Sequence, residues 1–400
     1  MGRSFRVSIP QRSFCHLRYR LALVLFIFVL FKQYHLFFIY RKALAAKYSP
    51  TELLQFTKEQ TWMPDEESAH FQDRLVANRA AWRNLGEGRE GKTFVYQDSV
   101  IKTFTPGRSP FRNCAPGVTD KVWPTEVPAS LYFGGSEHNA TSSFHGFLPV
   151  QAYFMAVSSA SQAEWHLVTP LLKGGNLKDL AIEARKQKQP YRDIDAHHRP
   201  TFERLLHTLG NLHEAGYCHD DIKSSNIFVA DDAHWILGDL GNLRQVSHPY
   251  HSSLLWRENK QLSDCRANDV MRALKSYMRF VRDSAIDADA LNAEFFDGRE
   301  PLSRLFWSST ANCSHLSAAE LRAKSITEHP HLHANSMVKT GILLPAQSYT
   351  WLSIFSRRWG RHYAVNHALQ TRMGEKLARW WALTGLFGVP ITTVCGVRYP

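Results

Sequence analysis

Four residues between positions 221 and 239 carry chemistry that the rest of the chain must position. The run His219-Asp220-Asp221-Ile222-Lys223-Ser224-Ser225-Asn226 sets a carboxylate, an amine and an amide at two- and three-residue steps. Asp239-Leu240-Gly241 adds a second carboxylate eighteen residues after Asp221. Acid and amide oxygens are hard donors that suit a divalent cation such as magnesium. An acid beside an amine can orient a hydroxyl for attack on a phosphoryl group and offset the charge that moves. For these groups to meet, the chain between them must fold back. Ile227-Phe228-Val229 and Trp235-Ile236-Leu237 flank Asp231-Asp232, which predicts a hairpin. A polar loop of turn formers would use the same residue types, but it has no reason to keep this order and spacing.

Upstream, Gly86-Glu87-Gly88-Arg89-Glu90-Gly91-Lys92-Thr93 satisfies two glycine patterns at once, G-x-G-x-x-G and the Walker pattern G-x-x-x-x-G-K-[ST]. A Walker loop follows a buried strand and opens a helix. Here the preceding Arg79-Ala80-Ala81-Trp82-Arg83-Asn84 is not strand-like, and the following residues alternate through Phe94 and Tyr96 to a turn at Asp98-Ser99. Val100-Ile101-Lys102 then closes a second strand, with Lys102 eleven residues past the last glycine.

In this order the pieces resemble the eukaryotic protein kinase superfamily, with its H-R-D-x-K-x-x-N catalytic loop, D-F-G segment, glycine-rich loop and strand lysine. The resemblance spans roughly residues 82–335 and implies an α+β, two-lobed protein-kinase-like fold, with a small β-rich lobe and a larger helical lobe. It implies that Gly86, Gly88 and Gly91 cover the phosphates of ATP, and that Lys102 grips the α- and β-phosphates. Asn226 and Asp239 would hold Mg²⁺, Asp221 would accept the substrate proton, and Lys223 would offset charge on the phosphoryl group. Glu126, at the start of an expected helix capped by Thr125, is the candidate partner of Lys102; a surface acid at a helix N-terminus reads the same way. Thr169 would back the adenine pocket and Leu172 would offer it a backbone donor. Asp269 resembles the acid that holds the catalytic loop, though a simple helix-start acid fits as well. Three departures stand out: Asp220 replaces the usual Arg, Thr93 replaces an apolar roof over the base, and no A-P-E follows Gly241. Without that Arg, control by activation-segment phosphorylation is not expected.

Charge is unevenly spread. Residues 1–60 carry ten Lys/Arg against two Glu, and residues 341–400 carry seven against one, so the net +12 lies in the ends and the middle is nearly neutral. A nucleic-acid-binding core is therefore not indicated, whereas basic ends beside apolar segments suit a membrane surface. The six cysteines are widely spaced, with no C-x-x-C, which suggests buried thiols rather than zinc or a dense disulfide framework.

The chain divides into a basic tail (1–20), an apolar segment (21–40), a linker (41–81), a small lobe (82–172), a large lobe (173–335) and a basic, aromatic C-terminal extension (336–400). Residues 21–40 are long enough to cross a bilayer. Their fourteen Leu/Ile/Val/Phe favour insertion by about 4 to 8 kcal/mol, against about 3 for Lys32. A single-pass anchor, an interfacial or buried helix, and a signal peptide all fit; ATP supply argues for a cytosolic catalytic domain if the kinase reading holds. Asn139-Ala140-Thr141 and Asn312-Cys313-Ser314 match the glycosylation sequon. Residues 184–200 read as a basic loop, and Phe202–Ala215 as a core-facing helix. Trp351, Phe355, Trp359 and Tyr363 form an aromatic stripe expected to dock on the domain itself or on a membrane.

The expected function is ATP- and Mg-dependent phosphoryl transfer to a hydroxyl, by a divergent serine/threonine-type protein kinase attached to a membrane. A nucleotide-binding scaffold and a small-molecule phosphotransferase on the same fold remain as alternatives.

Overall fold

The computed structural model describes residues 11–53, 66–88, 91–105, 112–116, 122–135, 144–157, 163–330, 357–371, 373–388 and 390. A long helix α1 (Gln11–Lys47) precedes α2 (Glu66–Ala77), which leads into the small lobe. There β1 (Arg83–Glu87), β2 (Lys92–Tyr96), β3 (Ser99–Phe104), β6 (Ala152–Val157) and β7 (Ala163–Pro170) form one antiparallel sheet in the order β1-β2-β3-β7-β6. A short pair, β4 (Cys114–Pro116) with β5 (Val122–Pro124), feeds α3 (Glu126–Gly134). Alternation along the strands loads both faces of the sheet. Ile101 and Val168 point to a cluster closed by Leu75 of α2 and by Trp82. Phe104 and Leu167 point to the opposite cluster, with Val127 of α3. Lys102 lies on the second face, its ammonium 5.5 Å from the Phe104 ring centroid. The period of two thus aims the lysine at the cleft.

In the large lobe come α4 (Leu177–Lys186), α5 (Tyr191–Glu214), β8 (Tyr217–Cys218), the hairpin β9 (Ile227–Asp231) and β10 (His234–Leu237), and β11 (Arg244–Gln245). Helices α6 (Leu254–Glu258), α7 (Cys265–Ser284), α8 (Ala288–Glu294), α9 (Pro301–Ala311) and α10 (Ala318–Thr327) follow. The expected stripes meet in one core: Phe202, Leu205, Leu206, Leu209 and Leu212 of α5 pack with Val270, Leu274, Tyr277 and Val281 of α7. The fold is thus α+β and two-lobed in the protein-kinase-like manner, with an N-terminal apolar helix and a C-terminal helical extension, α11 (Arg357–Ala368), α12 (Lys376–Trp381) and α13 (Thr384–Phe387).

Several expectations need correction. Residues 191–200 are not a basic loop but the first turns of α5. Tyr191, Ile194, His198 and Phe202 recur at helical spacing and are buried, and Arg199 is buried in an ion pair with Asp195 (2.6 Å). Pro200 inside the helix and the charges had hidden that period. Thr125 makes no side-chain cap to α3. The cysteines are not mostly thiols: Cys218 bonds Cys265 and Cys114 is also disulfide-bonded, whereas Cys313 is free. Trp351, Phe355 and the Asn139 sequon lie outside the described residues, as does the side chain of Trp359; Tyr363 is exposed.

Helix α1 continues unbroken past its apolar part. Among the described residues it alone is long and apolar enough to cross a membrane. Its last turns bury Tyr40, Ala43 and Leu44, and Tyr48 just beyond it, against Tyr250, Leu255, Trp256, Ala378 of α12 and Ala382 after that helix. The α11 helix seats Val365 in the large-lobe core, and Arg279 donates to the Leu369 carbonyl (2.9 Å).

Candidate active site

β3 ends beneath α3, so Lys102 reaches across to the first residue of that helix. Its ammonium is hydrogen-bonded to the buried Glu126 carboxylate and lies 2.9 Å from Asp239 Oδ1. Asp239 adopts the left-handed backbone region (φ 57°), which turns its carboxylate toward the lysine. The Lys102 charge holds the Asp239 carboxyl down, to about 2, against the upward push of burial.

Asp269, in the first turns of α7, braces the loop of residues 219–226. Its carboxylate accepts from the backbone N–H groups of His219 (2.6 Å) and Asp220 (3.0 Å). His219 Nε2 lies 3.1 Å from the Gly238 carbonyl, and Gly238 N–H donates to the Asn226 carbonyl (3.0 Å). The loop and the segment bearing Asp239 are therefore stitched together on both sides of the β9–β10 hairpin. Within the loop, Lys223 donates to Asp221 Oδ2 (2.6 Å), and Asn226 Nδ2 donates to the Asp221 carbonyl (3.0 Å). His219 and Asp269 organise the loop although neither lines the cleft.

Asp220 shows what replaces the missing arginine. It is fully buried with φ 62°, and its carboxylate accepts from Arg244 (3.0 Å) and His251 (3.0 Å), both from the segment after Gly241. Arg272 donates to the Asp220 carbonyl. Burial alone would raise the Asp220 carboxyl, but the facing His251, then Arg244 and Arg272, hold it below the usual range. Burial pulls His251 down, yet Asp220 leaves its net shift upward. The charges are reversed relative to a loop arginine facing a phosphorylated segment: here the loop carries the acid and the segment carries the cations. Arg244 also donates to Asn113 Oδ1 (2.7 Å), the Asn242 carbonyl (2.9 Å) and the Lys47 carbonyl (3.3 Å), so it joins both lobes and α1. Local sequence offers no signal for this cluster, since Arg244 and His251 lie 24 and 31 residues from Asp220.

A cleft of about 620 Å³ is lined by Gly88, Gly91, Lys102, Asp221, Lys223 and Asp239, with Tyr48, Met373 and Glu375 on its outer wall. Glu126 touches it through Lys102, and Asn226 through Asp221. Thr169, nearly buried in β7, and Leu172 just beyond it lie outside that lining, as does Gly86. The glycines differ in what they require. A Cβ on Gly91 would sit 1.6 Å from the Thr103 carbonyl oxygen, so close strand approach demands glycine there. A Cβ on Gly86 would meet open space and one on Gly88 nothing nearer than 3.9 Å, so their bare backbone leaves room above the cleft. The donors at Asp239 and Asn226 are all oxygen, a set that fits a hard cation such as Mg²⁺. A second grouping, His213, Cys218 and Asp269, has ligand spacing. Its sulfur is committed to Cys265 and its carboxylate to two backbone donors, so it is structural.

No family model matches the chain. It is 37% identical over 81 residues to serine/threonine-protein kinase PknL of Mycobacterium tuberculosis, which covers 20% of this chain and 19% of that protein. Serine/threonine-protein kinase D of Synechocystis is 26% identical over 174 residues, 41% of this chain and 30% of the relative. Serine/threonine-protein kinase cds1 of Schizosaccharomyces pombe is 35% identical over 86 residues, 21% of this chain and 17% of that protein. The matches span less than a third of each of these relatives. Together with the two-lobed fold, these distant, partial likenesses to proteins named as kinases are consistent with the protein-kinase-like superfamily in general.

Proposed function

We propose that this chain transfers the γ-phosphoryl group of ATP, with Mg²⁺, to a hydroxyl, as a divergent serine/threonine-type protein kinase attached to a membrane through α1. One observation carries the reading: Lys102 is bonded at once to Glu126 of the small lobe and to Asp239 of the large lobe, over the cleft that holds Asp221 and Lys223. In this reading Lys102 holds the α- and β-phosphates and Glu126 keeps it extended. Asp239 and Asn226 would hold Mg²⁺, which when bound supplies charge neutralisation along the phosphates. Gly86, Gly88 and Gly91 offer backbone above the phosphates, while Thr169 and Leu172 flank the base. Asp221 accepts the acceptor's hydroxyl hydrogen and then its proton, and Lys223 balances the charge on the transferring group. Catalysis by this set is positioning plus electrostatics.

The test is transfer of label from γ-labelled ATP to protein and to metabolite pools, using wild type and Asp221→Asn. Labelled protein that falls at least about 100-fold in the variant supports the reading. Label confined to metabolites points to a small-molecule phosphotransferase, and nucleotide binding without any transfer points to a scaffold. Protein labelling unchanged by Asp221→Asn overturns the mechanism.

A further inference from the structure

Within the C-terminal extension, α12 and α13 carry an apolar surface that none of the described residues covers. On α12 and α13, Leu377, Trp380, Leu386 and Phe387 are all exposed, Leu386 at 78%. Lys376 flanks them, while Arg379 is ion-paired with the buried Glu375, and no Asp or Glu occurs from 376 onward. The patch is continuous with α1. The Phe387 ring lies 5.6 Å from that of Phe37, and Arg41 donates to the Gly388 carbonyl (3.1 Å) and the Ala382 carbonyl (3.4 Å). Residues 21–38 of α1 are about 27 Å long, close to a hydrocarbon core of about 30 Å. Phe387 thus stands level with the last turn of that segment. Lys32 and His35 lie toward the same end, where long polar side chains can reach the headgroups.

We infer that α12 and α13 form a second membrane contact, seated in the headgroup–acyl boundary of the leaflet from which α1 emerges. Aromatic and apolar side chains rimmed by Lys and Arg are the composition that boundary accepts. Continuity with α1 favours the bilayer over a protein partner. Because Tyr40, Leu44 and Tyr48 are built into the domain, no flexible tether intervenes and the two contacts fix the domain's tilt. Both elements also abut the cleft: Lys47 and Tyr48 line it nine and ten residues past Phe38, about 14 Å along the helix, and Met373 and Glu375 line it just before α12. The cleft mouth is thereby held near the bilayer surface.

This inference rests on α1 spanning the membrane, not on the catalytic reading. The full chain in phosphatidylcholine–phosphatidylserine vesicles containing lipid brominated at shallow acyl positions tests it by tryptophan quenching. Quenching that drops in Trp380→Phe, and drops in Phe387→Asp with an unchanged melting temperature, supports it. A chain extracted by alkaline carbonate overturns the span itself. A chain that stays embedded but shows no Trp380-dependent quenching overturns the second contact, and the same result with a dimer lost in Phe387→Asp assigns the patch to self-association.

A separate observation bears on which side of the membrane the domain occupies. Cys218, directly ahead of His219, is bonded to Cys265 at the start of α7, with both residues buried, and Cys114 is disulfide-bonded as well. Such bonds persist in oxidising compartments and are rare in the cytosol. Five Arg and no acid precede residue 21, against Arg41, Lys42, Lys47 and Lys58 beyond the segment, a small bias in the direction of a cytosolic N-terminus. The Asn312 sequon sits exposed between α9 and α10. We propose that the catalytic domain faces away from the cytosol, the reverse of the placement expected from ATP supply. In sealed microsomes from a eukaryotic host the domain should resist protease until detergent is added. A glycosidase-sensitive mass decrement lost in Asn312→Gln would support the same side. Digestion of the domain in intact microsomes overturns it, as does alkylation of Cys218 and Cys265 without reductant.

Discussion

Replacing Arg244 with Met removes the cation that joins the loop of residues 219–226 to the segment after Gly241. The Arg244 and Asp220 side chains are 1% and 0% exposed, so the change leaves a carboxylate buried with His251 as its remaining side-chain ion partner. It also strips hydrogen bonds from Asn113, Asn242 and the Lys47 carbonyl. Breaking a buried pair from one side costs about 3 to 5 kcal/mol, and the retained His251 places this case near about 3. For a domain of this size that lowers the melting temperature by roughly 6–12 °C. The assay is thermal unfolding of the full chain in detergent, for Arg244→Met, Asp220→Asn and the double variant. The double variant should be less destabilised than the sum of the singles by about 2 kcal/mol, within the range of directly contacting pairs. A melting temperature within about 2 °C of wild type, or strict additivity, would refute the idea that Arg244 and Asp220 lock the segment in place.

The same cluster sets a pH dependence. His251 has a raised pKa, so its contribution is complete below its unfolded value of about 6.5 and is lost as pH rises through the folded value. Asp220 has a lowered pKa, so its contribution is complete above about 3.9 and is lost as pH falls through the folded value. Melting temperature across pH should therefore decline on the alkaline side of that window, and His251→Gln should flatten that decline; an unchanged alkaline limb argues against the pair. Glu126→Gln leaves Lys102 with Asp239 as its carboxylate partner and should lower the transfer rate about 10- to 1,000-fold while leaving the melting temperature within a few degrees, checked by paired kinetics and melting. Cys218→Ala/Cys265→Ala opens a loop of 47 residues and should cost about 4 kcal/mol on the chain-entropy account. Denaturant titration of oxidised wild type against the double variant measures it, and a loss below about 1 kcal/mol would speak against a structural bond.

What was legible depended on how local the signal was. The β9–β10 hairpin and the stripes of α5 and α7 follow from periods of two and about 3.6 within a dozen residues, and they appear where the pattern places them. Lys102 could be found because its strand has a fixed alternation and a fixed distance from the glycines. Glu126 was ambiguous, because a first-turn helix acid has the same local signature whether it faces water or a lysine. Only the packing of α3 against the cleft separates the two, and the β4–β5 pair that delivers α3 lay hidden in a Pro- and Gly-rich stretch. The Asp220 cluster and the Cys218–Cys265 bond were illegible for a different reason: their partners come together only when β8, β11 and α7 converge. Pro200 and the flanking charges concealed the first half of α5, since propensity argues for a break that burial of Tyr191, Ile194 and Arg199 overrides.

The central claim is that Asp239 and Asn226 act with Lys102 and Asp221 on a single magnesium-bound nucleotide. Its most direct test is the rate of γ-phosphoryl transfer as a function of Mg²⁺ concentration, for wild type and Asp239→Asn at matched folding. The account predicts saturable magnesium dependence in wild type and a rate at least about 100-fold lower in the variant. A variant that transfers at the wild-type rate, with the same magnesium dependence, would contradict it.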